Sequence, residues 1–165
     1  MQKIDIKALQ GNAVSLFDDK WCLITAGTKD SYNTMTASWG AMGELWNKDV
    51  CFIFIRPQRY TKEFVEREEL FTLSFFGQEY KKALTFCGRY SGRDYDKAKE
   101  TGLTPVEIDG SMTFGESETV IVCKKIAQQE IAPAGFIDKD IDSKNYPTKD
   151  YHTMYIGEVI ACYTK

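Results

Sequence analysis

Arg56 and Arg59 stand close together in the run IRPQRYTKEF, and Thr61 follows directly behind them. Two guanidinium forks, a hydroxyl and the start of a helix bring charged donors, a neutral donor and unpaired backbone N–H groups to one place. That set suits a monophosphate. Pro57 favours an extended Arg56, so a strand should end there. Thr61 is then placed as the N-cap of a helix through TKEFVEREE. The same arginines also read as surface ion pairs, because Glu63, Glu66, Glu68 and Glu69 follow on that helix and exposed pairs are worth little. Local sequence leaves both readings open.

A second cationic stretch is GRYSGRDYDKAKETG, Gly88 to Gly102. Ser91 and Gly92 form a turn that offers backbone amides, and Lys97 offers a point charge for a phosphate or a ring carbonyl. Otherwise it is a polar loop leading into a short helix. A third stretch, YNTMTASWGAMGELW, sets small and hydroxylated residues between aromatics. So little side-chain bulk lets a backbone approach a neighbouring strand or a flat ring. The order GxxxxGK[ST] is absent and GAMG is no GxGxxG fingerprint, so neither a P-loop nor a Rossmann site is indicated. The five cysteines, Cys22, Cys51, Cys87, Cys123 and Cys162, are scattered through apolar runs with no zinc-ligand spacing. They read as buried free thiols in a reducing compartment.

The elements that would carry these residues are mostly strands. WCLITAG, DVCFIFI, LFTLSFF, TVIVCKKIA and MYIGEVIACY are β-branched and aromatic runs, several of them alternating. TKEFVEREE and QEYKKALTFC have the composition of short helices between them. Residues 138–152 form a long polar loop with room for a helical turn. With 165 residues, 43% hydrophobic and 13% aromatic, the chain is expected to form one domain, 1–165, with a core of its own. The N-terminal residues carry no apolar run of signal length, and no stretch is long and apolar enough to span a bilayer. A cytoplasmic location without membrane contact is the expectation. A net charge of −3 gives no basic footprint for nucleic acid.

Three blocks in order, NTMTASW (Asn33 to Trp39), RPQRYT (Arg56 to Thr61) and SGRDYDK (Ser91 to Lys97), resemble the flavin reductase-like, FMN-binding split-barrel family, especially its flavoredoxin branch. YHTMYIGEV, Tyr151 to Val159, extends the resemblance over most of the chain. It implies a mainly β fold with short helices, a Greek-key split β-barrel. It also implies a homodimer with one FMN per subunit, its ring along the strand of the first block. By that likeness Asn33, Thr34, Met35, Thr36, Ala37, Ser38 and Trp39 lie at the flavin. Arg56, Arg59 and Thr61 hold its phosphate, Tyr60 between them also belongs to the cofactor site, and Ser91, Gly92 and Lys97 stand near the phosphate or the ring. His152, the only histidine, falls where the branch can place one beside the flavin. The implied activity is a flavin reductase drawing on NADH or NADPH, with no side chain acting as acid or base. A flavoredoxin-type carrier, passing electrons to an acceptor protein, uses the same residues. A flavin-free barrel serving only association is the remaining alternative.

Overall fold

The computed structural model describes residues 1–165. In chain order the strands are β1 (Gln2–Ile4), β2 (Cys22–Thr28), β3 (Ser31–Ala37), β4 (Gly40–Leu45), β5 (Lys48–Ile55), β6 (Leu70–Phe75), β7 (Pro105–Ile108), β8 (Ser111–Phe114), β9 (Thr119–Glu130) and β10 (Thr153–Thr164). Five short helices interrupt them: α1 (Ala13–Ser15), α2 (Thr61–Arg67), α3 (Lys81–Arg89), α4 (Lys97–Thr101) and α5 (Asp140–Asn145). All pairings are antiparallel, and the sheet runs β3-β2-β6-β9-β10-β5-β4, with β1 added to β10 and β7-β8 as a separate hairpin.

The connection from β3 to β4 dictates the shape. These strands lie at opposite ends of the seven-strand path, yet only Ser38 and Trp39 separate them. Laid flat, they would be roughly 29 Å apart at ordinary strand spacing. The chain from Ala37 to Gly40 can reach no more than about 11 Å. The sheet must therefore roll up until its edges meet at Ser38 and Trp39. Beyond that point β3 and β4 do not pair with each other, so the barrel stays split rather than closed. The sequence expectation of a mainly β split barrel holds.

Alternation along β2 shows how both surfaces of the sheet are covered. Cys22, Ile24 and Ala26 point into the main core with Phe71, Leu73, Ile121, Ile53 and Tyr155. Leu23 points the other way, into a smaller cluster with Leu84, Cys87, Ala98, Leu103 and Phe114. That outer cluster binds α3, α4 and β8 to the back of β2. Phe64 and Val65 of α2 enter the main core, so α2 plugs the barrel and its first turn is fixed beside β3.

The five expected strands are all present as β2, β5, β6, β9 and β10, and both expected helices appear as α2 and α3. The long polar loop contains α5. Strands β1, β4, β7 and β8 go beyond the sequence reading.

Candidate functional site

Edge strand β3 builds the wall of the site. It pairs only with β2, in unbroken register from Cys22↔Ala37 to Thr28↔Ser31. In an antiparallel ladder alternate residues turn their N–H and C=O away from the neighbour. Thr34 is one of these, because its carbonyl accepts from Lys97 Nζ at 2.7 Å. Thr36, two residues on, keeps the same phase and offers its backbone groups outward. The side chains of the wall are tied down behind it. Thr34 Oγ1 meets Thr25 Oγ1 at 2.9 Å, and the Thr36 hydroxyl donates to Leu84 O.

An open cleft of about 180 Å³ lies against this wall, lined by Met35, Thr36, Ala37, Ser38, Trp39, Phe54, Arg56, Arg59 and His152. It occupies the place where the barrel splits. The Trp39 ring is half exposed at the mouth and lies 5.2 Å from the buried His152 ring. Burial, followed by the charge of Arg56, pushes His152 down to about 4, so its imidazole is neutral at ordinary pH. Burial raises Tyr146 above its ordinary phenol value, and its OH lies 2.9 Å from His152 Nδ1. The phenol and the imidazole are thus joined by a hydrogen bond through Nδ1, which fixes the orientation of the His152 ring.

Met35 and Arg59 also line a second cleft, of about 160 Å³, together with Gln58, Tyr60, Thr61, Arg89, Tyr90, Ser91, Gly92 and Lys97. Its walls hold Arg59, Arg89 and Lys97 and no carboxylate. None of these three cations forms an ion pair anywhere in the chain. Arg59 is anchored by donating to Gly88 O, and Lys97 by Thr34 O and by Cys87 O at 2.7 Å. Burial pushes Lys97 down to about 8, with the nearby Cys87 opposing and Arg59 adding to the shift. The backbone N–H groups of Tyr60, Thr61, Ser91 and Gly92 have no backbone acceptor. Gly92 is required by space: a Cβ there would lie 1.9 Å from Asn33 Oδ1.

The fifteen residues singled out from sequence thus fall around two joined clefts. Asn33 and Thr34 stand behind the wall, where Asn33 Nδ2 donates to Thr61 Oγ1 at 2.8 Å. That bond corrects the expected N-cap. Thr61 is the first helical residue, Tyr60 is the cap, and no side chain caps the helix. A hydroxyl engaged from a strand far away in sequence cannot also cap its own helix. It is almost wholly buried, and its own proton has no acceptor within the chain. Nor do Arg56 and Arg59 pair with the glutamates of α2. Arg56 is ion-paired with Asp150, donates to Asn145 O at 2.8 Å and lies over the Tyr146 ring. Held chiefly by Arg56 and also by Gln58, the Asp150 carboxyl sits well below the usual carboxylate range. Arg56 therefore braces the 138–152 segment against the strand cleft, and Arg59 is the arginine common to both clefts.

Four lining residues were missed in the sequence: Phe54, Gln58, Arg89 and Tyr90. Arg89 and Tyr90 immediately precede Ser91, so continuing that cluster backwards would have found them. Phe54 carries no local signal, because it is one of several aromatics and aliphatics along β5.

An antiparallel split barrel with paired clefts at its seam defines a class, and comparison places the chain within it. Residues 15–165 match the model of the flavin reductase like domain, and the chain belongs to that family. No curated protein matches it. Among solved structures it is similar to the flavoredoxin of Desulfovibrio vulgaris (Miyazaki F), at 22% identity and a TM-score of 0.69, covering 100% of this chain and 76% of that one. The flavoredoxin of Methanosarcina acetivorans is similar at 18% identity and a TM-score of 0.71, covering 100% and 76%. An FMN-binding domain of a flavin reductases-like enzyme from Shewanella baltica is similar at 17% identity and a TM-score of 0.71, covering 99% and 76%. At these identities the likeness is one of fold.

Proposed function

We propose that residues 1–165 act as one flavin-binding domain that holds FMN and serves as an NAD(P)H-dependent flavin oxidoreductase. The carrying observation is the cleft with three cations, no carboxylate and no internal ion pair, opening onto a wall of free strand edge. A chain of net charge −3 has carboxylates to spare for such cations. Leaving three unpaired in one concavity suits an anionic ligand group.

The residues present fit FMN. Arg59, Arg89 and Lys97 would hold the phosphate, with the buried Thr61 hydroxyl supplying a donor that lacks an acceptor in the chain. The outward N–H and C=O of Thr36 match the alternating donors and acceptors on the edge of an isoalloxazine ring. Bound FMN would accept a hydride from a reduced nicotinamide and pass electrons onward. The chain's share is positioning. Small residues at Ala37 and Ser38 keep the wall thin, and Trp39 and His152 shield the cleft from bulk water. Lys97, cationic below about pH 8, sets a positive potential behind β3.

A flavoredoxin-type carrier is the second reading, favoured by the half-exposed Trp39 at the mouth of the strand cleft, where an electron-acceptor protein could approach. A homodimer would cover the same opening, and five buried free thiols suit a cytoplasmic location. The test is calorimetric titration with FMN and riboflavin, followed by anaerobic spectra with NADH or NADPH. One FMN per chain, bound more tightly than riboflavin, with its band bleached by either nucleotide, supports the reductase. Tight binding without bleaching selects the carrier. Equal affinity for both flavins would remove the phosphate seat.

A further inference from the structure

A line of aromatic rings leads away from the strand cleft. Of the three tryptophans only Trp39, half exposed at the cleft mouth, is in ring contact with another aromatic side chain. Its ring centroid lies 5.2 Å from that of His152, His152 lies 5.6 Å from Tyr146, and Tyr146 lies 4.9 Å from Tyr151. Each step is within the range of rings in direct contact, roughly 4.5–7 Å. Tyr146 is buried and Tyr151 is half-buried, so the line runs from the cleft through the interior to a partly exposed ring on the 138–152 segment.

Charge is graded along this line. The Arg56 guanidinium lies over the Tyr146 ring, 5.2 Å from its centroid. The Tyr151 phenol donates to Asp142 Oδ1 at 2.8 Å, and Lys149, paired with that carboxylate, keeps it ionised. Positive charge is therefore repelled at Tyr146 and attracted at Tyr151. Indole and phenol rings are readily oxidised by one electron. A phenol radical cation is so strong an acid that a carboxylate at hydrogen-bond distance takes its proton. Tyr163 is likewise bonded to a carboxylate, that of Asp109 at 2.7 Å, but no ring contact joins it to the line. Only Tyr151 combines a carboxylate with a ring path to the cleft.

We propose that Trp39, Tyr146 and Tyr151 form a path that carries one-electron oxidising equivalents from the strand cleft to the protein surface, a protective activity beside the flavin chemistry. An oxygen-derived radical in the cleft takes one electron from the Trp39 indole and is itself reduced. The hole passes over the His152 imidazole to Tyr146 and then to Tyr151. There the phenolic proton moves to Asp142, which leaves a neutral tyrosyl radical and a neutral carboxyl group. A reductant in solution, of the ascorbate or thiol class, returns one electron, and the proton moves back to the phenolic oxygen. The role rests on the proposal that a flavin is reduced in the strand cleft, because reduced flavins meeting dioxygen are the source of such radicals. The path itself needs no flavin.

Pulse radiolysis with azidyl radicals, which take one electron from tryptophan, tests the path in the full chain. Time-resolved absorption follows tryptophanyl and tyrosyl radicals separately. In the wild type a tryptophanyl signal should convert to tyrosyl in a first-order phase whose rate is independent of protein concentration. Trp39→Phe and Tyr151→Phe should each abolish that phase, and Tyr163→Phe should leave it unchanged. Asp142→Asn keeps every ring and should slow the phase about tenfold or more, since a weaker base takes the proton. Near-ultraviolet circular dichroism reports the fold of each variant, and Asp142→Asn decides if Tyr151→Phe fails to fold. Persistence in Trp39→Phe or Tyr151→Phe, loss in Tyr163→Phe, an unaltered rate in Asp142→Asn, or no such phase in the wild type overturns the path. The protective role has its own readout. With ascorbate present, radiolytic hydroxyl radicals should leave more oxidised Trp39 in Tyr151→Phe than in the wild type, by mass spectrometry of the peptide, and equal oxidation overturns that role. FMN binding is measured by calorimetry on the same samples. Its absence would strike the flavin reading, while the radical measurements still decide this one.

Discussion

Arg59 is the residue on which the two clefts depend, because it lines both and its charge has no partner in the chain. Burial, with Arg56 adding, lowers its pKa from the ordinary arginine value, yet a guanidinium stays protonated in proteins. Arg59→Ala should therefore weaken FMN by about 10- to 100-fold, the worth of a charge-assisted bond, while riboflavin changes little. Equal loss of both flavins would make Arg59 a structural brace. His152 carries a pH prediction. Its folded pKa is depressed to about 4 from 6.5, so the unfolded chain binds the extra proton first and stability is lost as pH falls below 6.5. Stability should drop by about 1 kcal/mol per pH unit on average between 6.5 and 5, mostly above the range where unfolded carboxyls titrate. His152→Asn should flatten that slope, read from urea midpoints at each pH. An unchanged slope would mean that the imidazole charges freely in the folded state. The sequence already carried the cations, since clustered arginines, a lysine and a turn are local signals. It misplaced the role of Thr61, because the Asn33 amide that claims the hydroxyl comes from a strand distant in sequence.

At the scale of elements, β10 determines whether the barrel can roll. It pairs with β9, β5 and β1, and its register against β9 shifts at Ile156 to Gly157 and again at Val159 to Ala161. Bulges bend a strand and increase its twist, which lets one long strand serve both halves of the sheet. Gly157 sits at the first shift, where a Cβ would lie 2.4 Å from Phe71 Cζ and 2.7 Å from Cys123 Cβ. Both neighbours are fully buried. Gly157→Ala should thus destabilise the fold by about 1–3 kcal/mol, through overpacking rather than lost contacts. Thermal unfolding measures it, and a variant as stable as the wild type would show that the core yields there. Strands such as β5 and β9 were legible because runs of valine, isoleucine and phenylalanine mark them. Strand β4 was not, since GAMGEL has two glycines and no β-branched residue. The hairpin β7-β8 did carry a signal in Asp109-Gly110, whose positive φ values of 45° and 79° suit a tight turn.

Over the whole molecule the two cores divide the site between a rigid part and a looser one. The 19-residue core fills the barrel and holds Cys22, Cys51, Cys123 and Cys162. Cys87 belongs to the 7-residue cluster that fastens α3 and α4 outside β2. All five thiols are free and buried, and burial raises those with a resolved shift, Cys87 and Cys162 to about 11 and Cys22 and Cys123 further. At pH 8 a thiol of pKa near 11 is ionised about one part in a thousand, so reaction with an aromatic disulfide requires opening of the fold. A small cluster opens at lower free energy than the main core. Cys87 should label first, and the four barrel thiols should follow together at the rate of global unfolding. The segment that must lift to expose Cys87 also carries Arg89, Ser91, Gly92 and Lys97 to the cationic cleft. FMN should therefore slow Cys87 labelling while leaving the other four at the pace set by global unfolding unless that is slowed too, and the ratio of the two rates isolates the local effect. Mass spectrometry of the labelled cysteines, with and without FMN, reads that ratio. A ratio that FMN leaves unchanged would mean that the outer helices do not clamp the phosphate and that the barrel wall alone holds the flavin.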